Sequence, residues 1–147
     1  MHRIQKKTKF AFYFCRFAAE SSTSFIIKNN KYKAMTIREI AKLLNATVCT
    51  GEGRLDEEVE TAFASDLMSD VLTLKETPML ITGLCNVQTI RTCDMATLDI
   101  ILVVRNKRVT EDMIELAEDD DMVILSCSYS MFKVCGLLYE AGIKPLY

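Results

Sequence analysis

The sequence predicts an α/β fold: a single three-layer domain over residues 35–147 with a mainly parallel sheet, preceded by a basic tail. Three observations carry this. Short apolar runs (Met79–Thr82, Asp99–Val104, Met122–Leu125) alternate with helical patterns over the second half of the chain. The middle run is almost entirely branched aliphatic, as suits a strand buried on both faces. The links are short, which favours right-handed crossovers between parallel neighbours.

The elements follow in order from Met35. Thr36-Ile37-Arg38-Glu39 is a capping box, in which the Thr hydroxyl takes the third amide and the Glu reaches back. Ile37, Ile40, Ala41 and Leu44 recur at helical spacing, so a helix runs to about Asn45. Thr47–Thr50 reads as a short strand, and Gly51-Glu52-Gly53 as a hairpin turn. Glu58–Ala64 alternates weakly as a second strand, with Glu57, Glu58 and Glu60 on its wet face. Asp66 is the expected N-cap of a short helix through Leu72, and Pro78 resets the chain. After the strand Met79–Thr82 and Gly83, Asn86 caps a helix to about Ala96 with Val87, Ile90 and Met95 facing inward. Thr110 caps a helix bearing Met113, Ile114 and Ala117. Ser128 or Ser130 caps the last helix, which runs through Glu140 and stops at Gly142. Ile143–Leu146 is a final short strand.

Of the 147 residues half are apolar and 26% are charged, with five Gly, two Pro and no Trp. Such a composition excludes a disordered or collagen-like chain. The formal charge of −2 averages two unlike pieces. Residues 1–34 hold eight Lys/Arg and one acid, a net of +7, whereas residues 35–147 carry a net of −9. The basic start and the apolar run Phe10–Ala19 imitate a secretory signal, but Arg16 interrupts the run and it falls short of a membrane span. A disordered tail or a mis-assigned start, with Met35 as the true one, is the better reading. Residues 35–147 suffice for one domain.

Composition also removes chemistries. The lone His is His2, in the tail, so the domain offers neither a His-dependent triad nor a His-ligated metal. No Walker-type loop and no dinucleotide fingerprint occurs, and Gly51-Glu52-Gly53 is too little on its own. The six Cys (15, 49, 85, 93, 127, 135) form no C-x-x-C pair and fit no zinc spacing. They read as reduced thiols, with Cys49, Cys127 and Cys135 acting as small hydrophobes. Cys85 and Cys93, which flank a helix start, keep a redox or metal role as a minority view. Glu118–Asp121 reads as a solvated helix-to-strand corner before it reads as a cation site. Asp66 and Asp70, four apart, could share a helix face as a metal pair, although capping accounts for Asp66. Neither a metal nor a cofactor is expected, and an enzyme working through Cys85 or the aspartate pair is the weakest option.

One constellation points to a ligand. Arg105-Asn106-Lys107-Arg108 follows the central strand at its carboxyl end, where parallel sheets place ligands. Thr82-Gly83-Leu84-Cys85-Asn86 and Ser126-Cys127-Ser128-Tyr129-Ser130 end two other strands and open helices whose amides could receive an anion. The candidate binding residues are therefore Thr82, Gly83, Asn86, Arg105, Lys107, Arg108, Ser126, Ser128 and Ser130, and their chemistry suits a phosphorylated small molecule. The competing account is ordinary capping plus a solvated basic loop. Duplex nucleic acid is disfavoured by the charge of −9.

Taken together, several segments resemble the DRTGG domain. They are the capping-box helix with Leu43-Leu44, Gly51-Glu52-Gly53-Arg54-Leu55-Asp56-Glu57-Glu58-Val59, Ala64-Ser65-Asp66-Leu67-Met68-Ser69-Asp70-Val71, the strand Leu80–Gly83, and Ser126 with Tyr139-Glu140-Ala141-Gly142. The resemblance spans residues 35–147 and is nearest to small stand-alone members. It implies a fold similar to the N-terminal domain of HPr kinase/phosphorylase. It also implies a non-catalytic, cytoplasmic regulatory module that forms homodimers and senses a ligand. Stand-alone members are encoded beside hydrogenase components of anaerobic bacteria, which implies, as the alternative, a scaffold in a redox complex. Two departures stand out. Where the family pattern has Gly-Asp-Arg after the Leu80–Thr82 strand, this chain reads Gly83-Leu84-Cys85-Asn86. Where it has Thr-Gly-Gly after Ile100–Val103, the chain reads Val104-Arg105-Asn106-Lys107.

Overall fold

A computed structural model describes residues 32–147. The expectation of a tail or mis-assigned start at residues 1–34 therefore lies, up to residue 31, outside the described residues. So do His2 and Cys15.

The apolar runs build the centre of a six-stranded sheet. Strands β4 (Thr61–Ala64), β5 (Met79–Thr82), β6 (Ile100–Val103) and β7 (Val123–Ser126) lie side by side in parallel. The register aligns Leu80 with Ile101 and Ile101 with Ile124. Two short strands complete the edges. β2 (Thr47–Thr50) runs antiparallel to β7, and β8 (Lys144–Pro145) runs parallel to β4, giving the order β8-β4-β5-β6-β7-β2. A separate antiparallel ribbon joins β1 (Met35–Thr36) to β3 (Glu58–Val59).

Period-two alternation sends successive strand residues into opposite cores. Ile81, Leu102 and Leu125 face α1 (Ile37–Leu44) and α5 (Met131–Ala141), which bring Ile37, Ile40, Leu44, Val134 and Leu138. Leu80, Ile101, Val103 and Ile124 face α2 (Met68–Val71), α3 (Val87–Met95) and α4 (Glu111–Asp119), which bring Val71, Ile90, Cys93, Met113 and Ala117. The three-layer, mainly parallel α/β architecture expected of residues 35–147 is the one observed.

Local signals hold at several element ends. Thr36 and Glu39 make both bonds of the capping box. Asn86 caps α3 by accepting from the Thr89 amide, and Ser130, rather than Ser128, caps α5 by accepting from the Lys133 amide. Gly142 ends α5 with φ 114°. The acids Glu118 to Asp121 form an exposed corner.

Five expectations are corrected. Gly51 does not turn a hairpin: β2 pairs with β7, and Glu52–Arg54 is a 3-10 turn. The cause is Thr50, 2% exposed, whose hydroxyl donates to the Met122 carbonyl and accepts from the Ile124 amide, which ties β2 to the β7 edge. The strand Glu58–Ala64 breaks at Glu60, because Val59 turns into the α1 core while Thr61–Ala64 joins the main sheet. Met95 is 72% exposed, and Cys93 and Thr89 take the inner positions of α3 with Ile90. Thr110 precedes α4 without a side-chain cap, and Glu111 and Asp112 place negative charge in the first turn instead. Asp66 does not cap α2, whose N-cap is Leu67 without a side-chain bond. Lying outside that helix, it shares no helix face with Asp70.

Candidate functional site

The carboxyl ends of β5, β6 and β7 are neighbours, and their exits are stitched by backbone bonds. The Val104 amide donates to the Thr82 carbonyl at 3.0 Å. Arg105 and Asn106 donate to the carbonyls of Tyr129 and Cys127 at 2.8 and 3.0 Å. The chain leaves β6 toward the α4 face and β7 toward the α5 face, so a crevice is expected between these exits. Here that crevice is bridged by the two bonds from Arg105 and Asn106. The Ser126 hydroxyl adds a third by donating to the Lys107 carbonyl at 3.3 Å.

Between β5 and β6 the side chains converge. Arg105 and Asn106 adopt the left-handed conformation, φ 67° and 54°, which costs a non-glycine residue about 1–2 kcal/mol. This turn lays the Arg105 guanidinium over Gly83. A Cβ built on Gly83 would lie 1.6 Å from Arg105 Nη2, so no other residue fits beneath it unless the arginine moves away. The anion facing these groups is Asp66, brought in by the link from β4 to α2. Its Oδ1 accepts from the Gly83 amide at 2.7 Å and from the Thr82 hydroxyl at 3.0 Å, and its Oδ2 pairs with Arg105 Nη2 at 2.6 Å. Thr82 is fully buried, and its hydroxyl also accepts from the Leu84 amide at 3.1 Å. Burial pushes the Asp66 carboxyl up. The bonds from Gly83, Thr82 and Arg105 outweigh that push and hold it below the usual carboxylate range.

Of the nine residues singled out from the sequence, the structure thus brings Thr82, Gly83 and Arg105 together. Asn86 and Ser130 are used as helix caps. Lys107 and Arg108 follow Arg105, and neither makes an ion pair among the described residues. Ser126 holds the Lys107 backbone, and Ser128 is exposed. The residue missed was Asp66. Its position before a short helix signalled a cap, and only the spatial meeting of three strand ends reveals its actual partners.

The cysteines lie apart from this chemistry. All five described are free, and burial raises each thiol pKa, that of Cys93 to about 12. Thiolate is therefore scarce at neutral pH. Cys85 donates to the Arg108 carbonyl at 3.1 Å, and Cys93 is fully buried. Among the described residues no group of three or more His, Cys, Asp and Glu is placed to hold a metal ion, and no helix is long and apolar enough to cross a membrane.

Away from these strand ends, a concavity of about 530 Å³ is almost entirely apolar. It lies against β4, β8 and α5, with Ala62, Ile81, Phe132, Gly136 and Tyr147 among its lining. Phe132 is 91% exposed and Tyr147 is 86% exposed. Its apolar walls suit a hydrophobic partner and offer little to a phosphate.

No family model matches the chain, and no curated protein matches it in sequence. Among solved structures it is similar to the CBS and DRTGG domains of the regulatory region of Clostridium perfringens pyrophosphatase, determined with the activator diadenosine tetraphosphate. The TM-score is 0.62 at 13% identity, covering 86% of this chain and 57% of that one. The chain thus spans a little over half of that structure, and at this identity the likeness is one of fold.

Proposed function

We propose that residues 35–147 form a DRTGG-type regulatory module that senses a nucleotide or another phosphorylated metabolite without catalysing a reaction. The carrying observation is the convergence of the Arg105 guanidinium, the Thr82 hydroxyl and the Gly83 amide at two adjacent strand ends, already holding one anion. Lys107 and Arg108 add positive charge to the same loop of an otherwise acidic domain. The shared fold with a pyrophosphatase regulatory region that takes a dinucleotide activator agrees with this role. A cytoplasmic homodimer is the form we assign to it.

Thermal shift and calorimetry on the full chain with ATP, diadenosine tetraphosphate and sugar phosphates test the proposal. The expected outcome is stabilisation by at least one of them at millimolar concentration or below, abolished by Arg105→Ala. A flat response to all of them removes the ligand-sensing role.

The apolar groove beside α5 favours a second reading, a scaffold that docks on another subunit, such as a component of a redox complex. Co-purification at fixed stoichiometry, with no response to any phosphorylated compound, would favour the scaffold.

A further inference from the structure

We propose that Asp66 is a built-in competitor for the ligand: its carboxylate occupies the position of a phosphoryl group and must leave before one can bind. This rests on the phosphoryl-binding role of Arg105, Thr82 and Gly83 given above.

The three donors that converge at this site are all already aimed at one carboxylate. Gly83 gives its amide, Thr82 its hydroxyl and Arg105 its guanidinium, within 2.6 to 3.0 Å. The main chain that carries these donors is held independently of that carboxylate, while the guanidinium itself has Asp66 as its partner. Thr82 is fixed in β5 and fully buried. Arg105 is anchored by its own amide on the Tyr129 carbonyl and by the consecutive left-handed conformations of Arg105 and Asn106. Gly83, lacking a Cβ, leaves the guanidinium room to lie against the backbone. Removing Asp66 would therefore leave the Gly83 amide and the Thr82 hydroxyl in place and free the guanidinium to meet another anion.

Asp66 lies in no helix or strand. It belongs to the link Ser65–Leu67 between β4 and the four-residue helix α2, and Leu67 beside it is 58% exposed. The ion pair is open to water, with side-chain exposures of 44% for Arg105 and 38% for Asp66. Exposed pairs of this kind are held weakly. A phosphoryl group brings more charge and three acceptor oxygens, and can engage a guanidinium through two parallel bonds. It would outcompete a single carboxylate and expel it. Expulsion would free the Asp66 carboxylate from the exits of β5 and β6 while the Ser65 amide stays on the Ile81 carbonyl, which gives the module a local, ligand-dependent change to report.

The test is calorimetric titration of the full chain with ATP, and separately with inorganic phosphate, in the wild type and in Asp66→Asn, Arg105→Ala and Gly83→Ala. The expected result is about tenfold tighter binding to Asp66→Asn than to the wild type, with binding lost in Arg105→Ala and Gly83→Ala. Equal or weaker binding to Asp66→Asn, with the wild type binding normally, overturns the competitor role while leaving the ligand site standing. Absence of binding in both the wild type and Asp66→Asn overturns the ligand site itself, and this inference with it. Amide NMR of the wild type keeps the test decisive should Asp66→Asn fail to fold. The Gly83 and Asp66 resonances should both move on ATP addition, and bound ATP that leaves Asp66 unmoved refutes its displacement.

Discussion

Thr97, a β-branched residue, stands in the left-handed region with φ 58° at the end of α3. The position is imposed by the helix end. The Thr97 amide donates to the Asp94 carbonyl and the Leu98 amide to the Cys93 carbonyl, while Leu98 and Cys93 both sit in the core. That is a Schellman motif, whose left-handed residue is usually glycine. The same bond pair closes α1 at Asn45, α4 at Asp121 and α5 at Gly142, so one device ends four helices with four different residues. Of these, threonine fits worst, since its branched Cβ crowds the backbone most. Thr97 is also exposed, so its side chain supplies no buried packing. Thr97→Gly should therefore raise stability by about 1 kcal/mol, the steric relief being reduced by the greater freedom of glycine in the unfolded chain. For a domain of this size that is a rise of roughly 4 °C in Tm, readable by circular dichroism. A fall in Tm would show that the threonine contributes something beyond its backbone conformation.

The 3-10 turn Glu52–Arg54 is an element held from outside, since no side chain caps its start. Arg54 does the holding. Its guanidinium pairs with Glu57 at 2.7 Å and with Asp99 at 2.6 Å, and it donates to the Asp121 carbonyl. The turn is thereby bound to the start of β6 and to the corner between α4 and β7. The Arg54 side chain is only 17% exposed, and its hydrogen bond with Glu57 leads in holding its pKa above the ordinary arginine value. Gly51 completes the junction. With φ 78° it suits glycine, and a Cβ there would come within 2.6 Å of Val123 Cγ2. Arg54→Met keeps the aliphatic stem and removes the charge, leaving Asp99 and the Asp121 carbonyl without their donor. Charge-assisted bonds in partly shielded positions support an expected loss of about 1–3 kcal/mol. Urea unfolding should show it as a lower midpoint with an unchanged slope. Ligand binding at Arg105 should be unaffected, since the clamp sits at the other end of β6.

At the scale of the whole molecule, what was legible in the sequence is what short-range pattern determines. The branched aliphatic runs specified β5, β6 and β7 as neighbouring buried strands, and Thr36, Asn86, Ser130 and Gly142 marked helix ends through bonds made within a few residues. Illegible were the contacts between distant segments, such as β2 against β7 and the turn of Asp66 toward Thr82, Gly83 and Arg105, which lie 16, 17 and 39 residues away. A capping aspartate and a strand-bridging aspartate look alike until the sheet brings its other donors near. That long reach gives Asp66 a consequence for the entire fold, because it joins the exits of three strands. Its carboxyl titrates lower in the folded chain than in the unfolded one, as do Asp56 beside Arg38 and Glu57 beside Arg54. A depressed carboxyl contributes stability that is fully present above the unfolded value, about pH 4, and is lost as pH falls through the folded value. Stability should accordingly be flat from neutral pH down to about 5 and then decline toward pH 2. With Asp66 more than a third exposed, solvent screening limits its own share to about 1 kcal/mol or less. Asp66→Asn should be slightly less stable than the wild type at pH 7 and should lose less on acidification. Urea midpoints measured at unit intervals from pH 7 to pH 2 would show the two curves approaching one another at the acid end. Parallel curves would mean that Asp66 is protonated no less readily in the folded protein than in the unfolded chain, and that the donors around it do not favour its charge.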